Sequence, residues 1–384
     1  ALKSVGRKVE GIVRELARLR NGLARAEGFA DHHARSLDLQ EIDSMELDRL
    51  MADLQAATDE PFREFKTKLD ADLRCRFGVK RLMPWHLSDP FFQEPPERGN
   101  LDVDRYFAGK DIETLTRETY DRLGFEVRDV IARSDLYERA GKDQHAFCLR
   151  VGRSFPYDVR VLANVRSDSY WMDTMLHEFG HAVYDKYINP NLPYLLRTVA
   201  HINSTEGIAL MMGSLADNPA WLTAVAGLPE EDLERYGELL QRISRADRLV
   251  FVRWALVMYR FEKALYEDPD REDLNDVWWD LVERIQLVQR PPDREGEPDW
   301  AAKLHVALAP VYYHNYVLGN LIAAQLRHHL EQDVVGGPFF TSELAGRYLQ
   351  EAVFSQGARD DWEDTVLRAT GERLNAKYFV KSLL

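Results

Sequence analysis

The sequence predicts a mainly α protein with one small antiparallel β-sheet, and three observations lead there. Residues 1–80 are rich in Leu, Ala, Arg and Glu at helical spacing, the period of an amphipathic helix. Helical patterns dominate again from 170 to 384. Between them, 147–151 and 158–164 alternate apolar and polar residues and are joined through Gly152 and Pro156, as half-buried strands of a small sheet do.

Local signals place the elements in order. An amphipathic helix begins at the start of the chain. Pro61, after Thr58-Asp59-Glu60, reads as a helix start, since proline is favoured in a first helical turn. Residues 81–105, with Pro84, Pro90, Pro95, Pro96 and Gly99, read as loop. Helix returns over 111–135. Pro190, Pro193, Pro219 and Pro229 mark turns, and Pro291-Pro292 with Gly296 and Pro298 mark a longer loop. Trp278-Trp279 reads as helical core, and His32, His33, His328 and His329 as surface pairs. The chain carries no internal repeat and no low-complexity tract.

Composition bounds the function. With 384 residues and 45% hydrophobic content, the chain can bury a large core. A net charge of −14 argues against nucleic acid and anionic membranes as partners. No apolar run reaches the roughly 18 residues that a membrane-crossing helix needs. The opening residues, Ala1 to Arg7, contain neither Met nor an apolar signal-peptide run. Cys75 and Cys148 are the two cysteines, so no disulfide framework is implied. A reducing, cytoplasmic compartment is expected.

The most informative string is His177-Glu178-Phe179-Gly180-His181. Helix residues four apart share a face, so His177 and His181 would offer two imidazole nitrogens to one zinc ion. Glu178 would sit beside the open coordination position, where a carboxylate can take a proton from bound water. Trp171 to Leu176 and Ala182 to Tyr184 make the surroundings largely apolar. Two histidines and an acid are costly there unless paired or metal-bound. Gly180 costs about 1 kcal/mol against Ala in a helix interior, and it leaves room for another backbone or for the metal environment.

A catalytic zinc needs a third ligand, and Glu206 stands in an otherwise apolar helical stretch, 204–212, that Ser204 or Thr205 could cap. Two readings of Glu206 stand at this point: a zinc ligand, or a first-turn acid facing the helix dipole. Farther on, Lys303, His305, Tyr312, Tyr313 and Tyr316 gather within fourteen residues, 303–316. Tyr and His can donate to an oxyanion, and Lys303 could hold a peptide carboxylate. Equally, the tyrosines could be core aromatics and Lys303 a solvated lysine. His145, just before the first strand, reads as a turn histidine.

These residues together resemble the angiotensin-converting-enzyme group of peptidyl-dipeptidases, peptidase family M2. They show kinship to the thimet and oligopeptidase F group, family M3, both among the gluzincin zinc metallopeptidases. The resemblance extends over nearly the whole chain. It is strongest at His145-Ala146, from Asp158 to His181, at Glu206, and from Trp278-Trp279 to Tyr316. Leu23 to Ala26 and Met83 to Leu87 are weaker echoes. The pairing of Lys-x-His with a following Tyr-x-x-Tyr is its most specific part.

The resemblance implies one catalytic domain over 1–384, with two helical lobes around a deep cleft and the small sheet beside the zinc helix. It implies one zinc ion per chain, held by His177, His181 and Glu206, with Glu178 as general base and later proton donor. His305 and Tyr316 would stabilise the oxyanion. Lys303 and Tyr313 would hold the substrate's terminal carboxylate, with Tyr312 competing because the stretch carries one extra residue. His145 and the Ala146 backbone would bind peptide near the scissile bond. Substrates would be short peptides, losing C-terminal dipeptides. The alternatives are oligoendopeptidase cleavage of the M3 type and a non-catalytic peptide-binding relative.

The chain departs from the family pattern in four places. Leu210 stands where the family has an Asp four residues after the Glu ligand, an acid that would orient a zinc histidine. Asn315 and Val282 stand at two places of chloride-binding arginines, so chloride-independent activity is expected. The disulfide flanking the His-Ala segment is absent. Family members also extend N-terminal of Ala1 with lid helices, so a missing lid segment is expected here.

Overall fold

A computed structural model describes residues 2–96, 103–294 and 296–383. The helices in chain order begin with α1 (Gly6–Ala26), α2 (His32–Leu39), α3 (Ser44–Phe77), α4 (Ile112–Arg122) and α5 (Arg128–Arg133). The strands β1 (Phe147–Arg150) and β2 (Val159–Leu162) follow. Then come α6 (Ser169–Lys186), α7 (Ile202–Gly213), α8 (Pro219–Ala224), α9 (Glu230–Glu267) and α10 (Leu274–Leu281). The last are α11 (Leu304–Leu308), α12 (Tyr313–His329), α13 (Glu343–Ala352), α14 (Trp362–Thr370) and α15 (Lys377–Leu383). The chain is therefore mainly α with one two-stranded antiparallel sheet among the described residues. No helix there is long and apolar enough to cross a membrane.

The chain forms two compact units, one of 1–98, 245–317 and 383–384, the other of 99–244 and 318–382. In the first, α1 to α3 and α10 surround the later part of α9. The core is aromatic: the Phe261 ring lies 5.0 Å from Trp278 and 5.3 Å from Trp300. Trp278 and Trp279 are buried, as the sequence suggests.

Pro61 does not start a helix; it lies inside α3. An interior proline costs about 3 kcal/mol. The buried face of α3 runs on through it, with Leu47, Met51 and Leu54 before and Phe62 and Leu73 after. Each such burial contributes about 1.5–3 kcal/mol, so packing outweighs the break. Asp43 caps the start, accepting from the Met45 and Glu46 N–H groups, and Gly78 ends the helix at φ 63°. The proline-rich stretch after it carries neither α-helix nor strand over 78–96; Gly99 lies outside the described residues. His33 is no surface residue: it shares the buried face of α2 with Leu37, and its ring packs on Tyr259.

The second unit is built around α6. Burial of Trp171, Met172, Met175, Leu176, Phe179, Ala182, Val183 and Tyr184 leaves little of the helix uncovered. It packs on α4, α7 and both strands. In the sheet, Phe147 pairs with Leu162 and Arg150 with Val159. Lys142 staples the approach to the sheet: its buried ammonium donates to the Asp135, Tyr137 and Ala163 carbonyls and to the Asp135 carboxylate. The Arg150 guanidinium meets the Asp185 carboxylate at 3.3 Å, tying β1 to the last turn of α6.

Candidate active site

Two helices of the second unit present the site. Asp168 caps α6, accepting from the Trp171 N–H at 2.8 Å. One face of that helix then carries His177 and His181, with ring centroids 4.9 Å apart. Helix α7 brings Glu206 against them. The approach is close because position 180 has no side chain: a Cβ on Gly180 would lie 2.8 Å from the Ala209 Cα. Gly319 of α12 closes on Glu206 in the same way, where a Cβ would sit 3.1 Å from the Glu206 Cβ. The cap of α7 is His201, whose Nδ1 accepts from the Asn203 N–H at 3.1 Å. Ser204 and Thr205 lie inside the first turn, not at the cap.

His177, His181 and Glu206 offer ligand atoms that all lie within 4.8 Å of one another. They are the one such group of three or more among the described residues. His177 Nε2 lies 3.7 Å from a Glu206 oxygen. Burial lowers His177 to about 4; burial and the neighbouring His177 lower His181 to about 3. Both imidazoles are thus neutral near pH 7, with a lone pair free to ligate. Burial pushes Glu206 up to about 7. Two neutral imidazoles and a desolvated carboxyl make a donor set suited to a divalent cation and poorly suited to an ion pair. Glu178 is pushed up to about 7 as well, by burial and then by the Glu206 charge, while the Cys148 N–H opposes the shift and Asp173 adds to it.

The second contact of His181 is a hydroxyl. Its Nδ1 lies 2.7 Å from Thr205 Oγ1, which leaves Nε2 for the metal. No sequence signal marks Thr205 for this, because the contact depends on how α6 and α7 pack. Leu210, four residues after Glu206, is partly buried and packs against the core; a Cβ on Gly319 would lie 3.2 Å from its Cδ1.

The sheet lies beside Glu178. The Val151 N–H donates to the Asp158 carbonyl at 2.7 Å. By the two-residue alternation of a strand, Cys148 and Arg150 therefore turn their backbone groups away from β2. The Cys148 N–H is the one that faces Glu178. Ala146 packs against the core. The His145 side chain is 95% exposed, 3.5 Å from the Asp143 carboxylate. The turn before β1 is held by Asn164, whose amide donates to the Asp143 carbonyl at 2.9 Å.

The first unit gathers the other residues singled out in the sequence. Lys303 is no solvated lysine: its ammonium lies 5.1 Å from the Trp254 ring, 5.6 Å from Phe91 and 5.7 Å from Tyr313. It donates to Gln93 Oε1, a partner far away in sequence and unmarked there. Burial lowers Lys303 to about 8, against the pull of Asp89. The His305 ring lies 4.9 Å from Tyr313, and burial, then Lys303, lowers it to about 4. Tyr316 meets Tyr312 at 5.0 Å and Tyr313 at 5.6 Å, ring to ring. Burial raises the Tyr313 hydroxyl well above its ordinary value.

The sequence is similar to those of known proteins. The chain is 24% identical over 238 residues to thermostable carboxypeptidase 1 of Pyrococcus furiosus, covering 54% of this chain and 45% of that protein. It is 28% identical over 149 residues to carboxypeptidase 1 of Bacillus subtilis, covering 36% of this chain and 28% of that protein. The chain thus spans less than half the length of the curated relatives it matches. The family described as "Peptidase family M3", whose members are zinc metallopeptidases, matches residues 3–383. With nearly its whole length matched, the chain belongs to peptidase family M3.

Proposed function

We propose that this protein trims short peptides from the carboxyl end, releasing C-terminal dipeptides, with His177, His181 and Glu206 holding one zinc ion. The observation that carries the reading is the convergence of the three donor atoms within 4.8 Å on two buried helices. When bound, zinc supplies a Lewis acid that polarises a carbonyl and acidifies water. Two histidines and one carboxylate leave the fourth position open, as catalysis needs.

Glu178 is the proton carrier. It takes a proton from water as the water oxygen bonds to the scissile carbonyl carbon. It then hands that proton to the amide nitrogen as the C–N bond breaks, leaving a carboxylate and an amine. A buried carboxyl held near neutrality suits both halves of that task. His305 and Tyr316 donate to the developing oxyanion. Lys303 with Tyr313, or with Tyr312, holds the terminal carboxylate. His145, Ala146 and the outer edge of β1 receive the extended peptide by strand addition.

A second reading is release of single C-terminal residues, favoured by the word carboxypeptidase in the names of both relatives. Mass spectrometry of products from one peptide, with a free and with an amidated C-terminus, separates the readings. Dipeptides from the free form alone support the first. Single residues from the free form support the second. Internal cuts in both forms defeat C-terminal trimming.

A further inference from the structure

Val311 holds a backbone conformation that its side chain disfavours. It sits at φ 52°, in the left-handed region where a β-branched residue is an outlier. Such strain persists where the surroundings over-determine it, and it gathers at functional sites. Val311 lies in the short link between α11, which carries His305, and α12, which begins at Tyr313 and carries Tyr316.

Both backbone polar groups of Val311 are taken by side chains. Its N–H donates to Glu262 Oε1 at 2.9 Å. Its carbonyl accepts from Gln40 Nε2 at 3.3 Å. Gln40 also reaches the start of α12: its Oε1 accepts from Asn315 Nδ2 at 2.7 Å and from His314 Nε2 at 3.1 Å. Glu262 is a buried carboxyl, and burying one is costly unless a specific contact requires it. The Arg20 guanidinium, whose charge acts on Glu262, donates to the Ala307 carbonyl at 2.8 Å, on α11. Arg20 on one side and Gln40 on the other therefore reach the two helices that flank the turn.

We propose that Glu262 and Gln40 form a clamp that imposes the Val311 turn and thereby positions His305, Tyr313 and Tyr316 for the reaction. The inference rests on the proposed roles of those three residues; Glu262 and Gln40 are positioning residues. Without an acceptor at 262, the buried Val311 N–H is left unsatisfied and the turn relaxes toward an ordinary φ. The first turn of α12 then shifts, and a misplacement of about 1 Å in a reacting site can lower a rate by roughly 100-fold.

The test compares wild type, Glu262→Leu and Glu262→Gln in zinc content, kcat, KM and amide exchange of the 304–316 segment. Gln keeps an acceptor for the Val311 N–H. Expected for Glu262→Leu are an unchanged zinc content, faster exchange across 309–313 and a kcat/KM lower by about 10–100-fold; Glu262→Gln should restore both. Should Glu262→Leu fail to fold, Gln40→Leu, which frees the Val311 carbonyl and the Asn315 and His314 side chains at the start of α12, carries the same expectation. Exchange that stays slow in the Leu variants, or a kcat/KM that stays at the wild-type value while only the melting temperature falls, overturns the clamp. A wild type that binds zinc but cleaves no peptide defeats the proposed function instead, and the exchange rates then decide the clamp alone.

Discussion

The Nδ1 of His181 lies 2.7 Å from the hydroxyl oxygen of Thr205, the residue immediately before Glu206. With the Nδ1 proton donated to that oxygen, the Nε2 lone pair is aimed where a metal would sit. A hydroxyl can donate as well as accept, so it is a metal on Nε2 that would select the tautomer with the proton on Nδ1; the hydroxyl then accepts that proton without adding negative charge, unlike the carboxylates that often do this work.

Thr205→Val removes the acceptor and keeps the shape. Zinc affinity should fall about 10–100-fold, measured by competition with a chromogenic chelator. Thr205→Ser should restore it. Equal affinity in all three proteins would mean that the hydroxyl does not orient His181.

Lys303 sits among three aromatic rings, so its ammonium is partly desolvated and primed for a carboxylate. Lys303→Ala should raise KM at least 10-fold for a peptide with a free C-terminus, the scale of one lost charge-assisted hydrogen bond of about 1.5–3 kcal/mol. An equal change with an amidated peptide would remove the carboxylate from the account.

Chloride should not activate the enzyme. Asn315 is buried and donates its amide to Gln40, and Val282 is a buried apolar residue; neither supplies a cation for an anion. Initial rates in chloride and in acetate at matched ionic strength should agree. A several-fold rise in chloride would contradict this.

Glu262 links stability to pH. Burial pushes its carboxyl from 4.5 up to about 8, against the pull of the Val311 N–H and Arg20. Tyr266 and Tyr313, which also feel its charge, are themselves raised and stay neutral in this range. Below pH 4.5 both states hold the proton and no stability is lost. Between 4.5 and 8 the unfolded chain has released it while the native chain keeps it. Stability therefore falls as pH rises, by up to about 1.4 kcal/mol per pH unit. Urea melts from pH 5 to 8 should show wild type losing ground to Glu262→Gln; a constant gap would refute the shift.

Much of the site was legible because its residues lie close in sequence. The donor cluster shows in the sequence through two histidines and an acid set in an apolar run, and through the isolation of Glu206 in a second such run; the structure brings His177, His181 and Glu206 together. The alternation at 147–151 and 158–164 marks the sheet. What was not legible depends on contacts between distant segments. Pro61 stays helical because the buried face of α3 outweighs it. His201 takes the cap expected of Ser204 or Thr205, and Thr205 turns to His181 once Gly180 lets α7 approach. Gln93 and Phe91 surround Lys303 from more than 200 residues away. The left-handed Val311 has no local signal at all, since valine is among the residues least expected there.

The most direct measurement is zinc content and peptide hydrolysis for wild type and Glu178→Gln side by side. One zinc ion per chain is expected in both proteins, with kcat in the variant lower by about 10²–10⁴-fold. Equal background rates in two zinc-loaded proteins would contradict the proposed hydrolysis and leave a peptide-binding relative in its place.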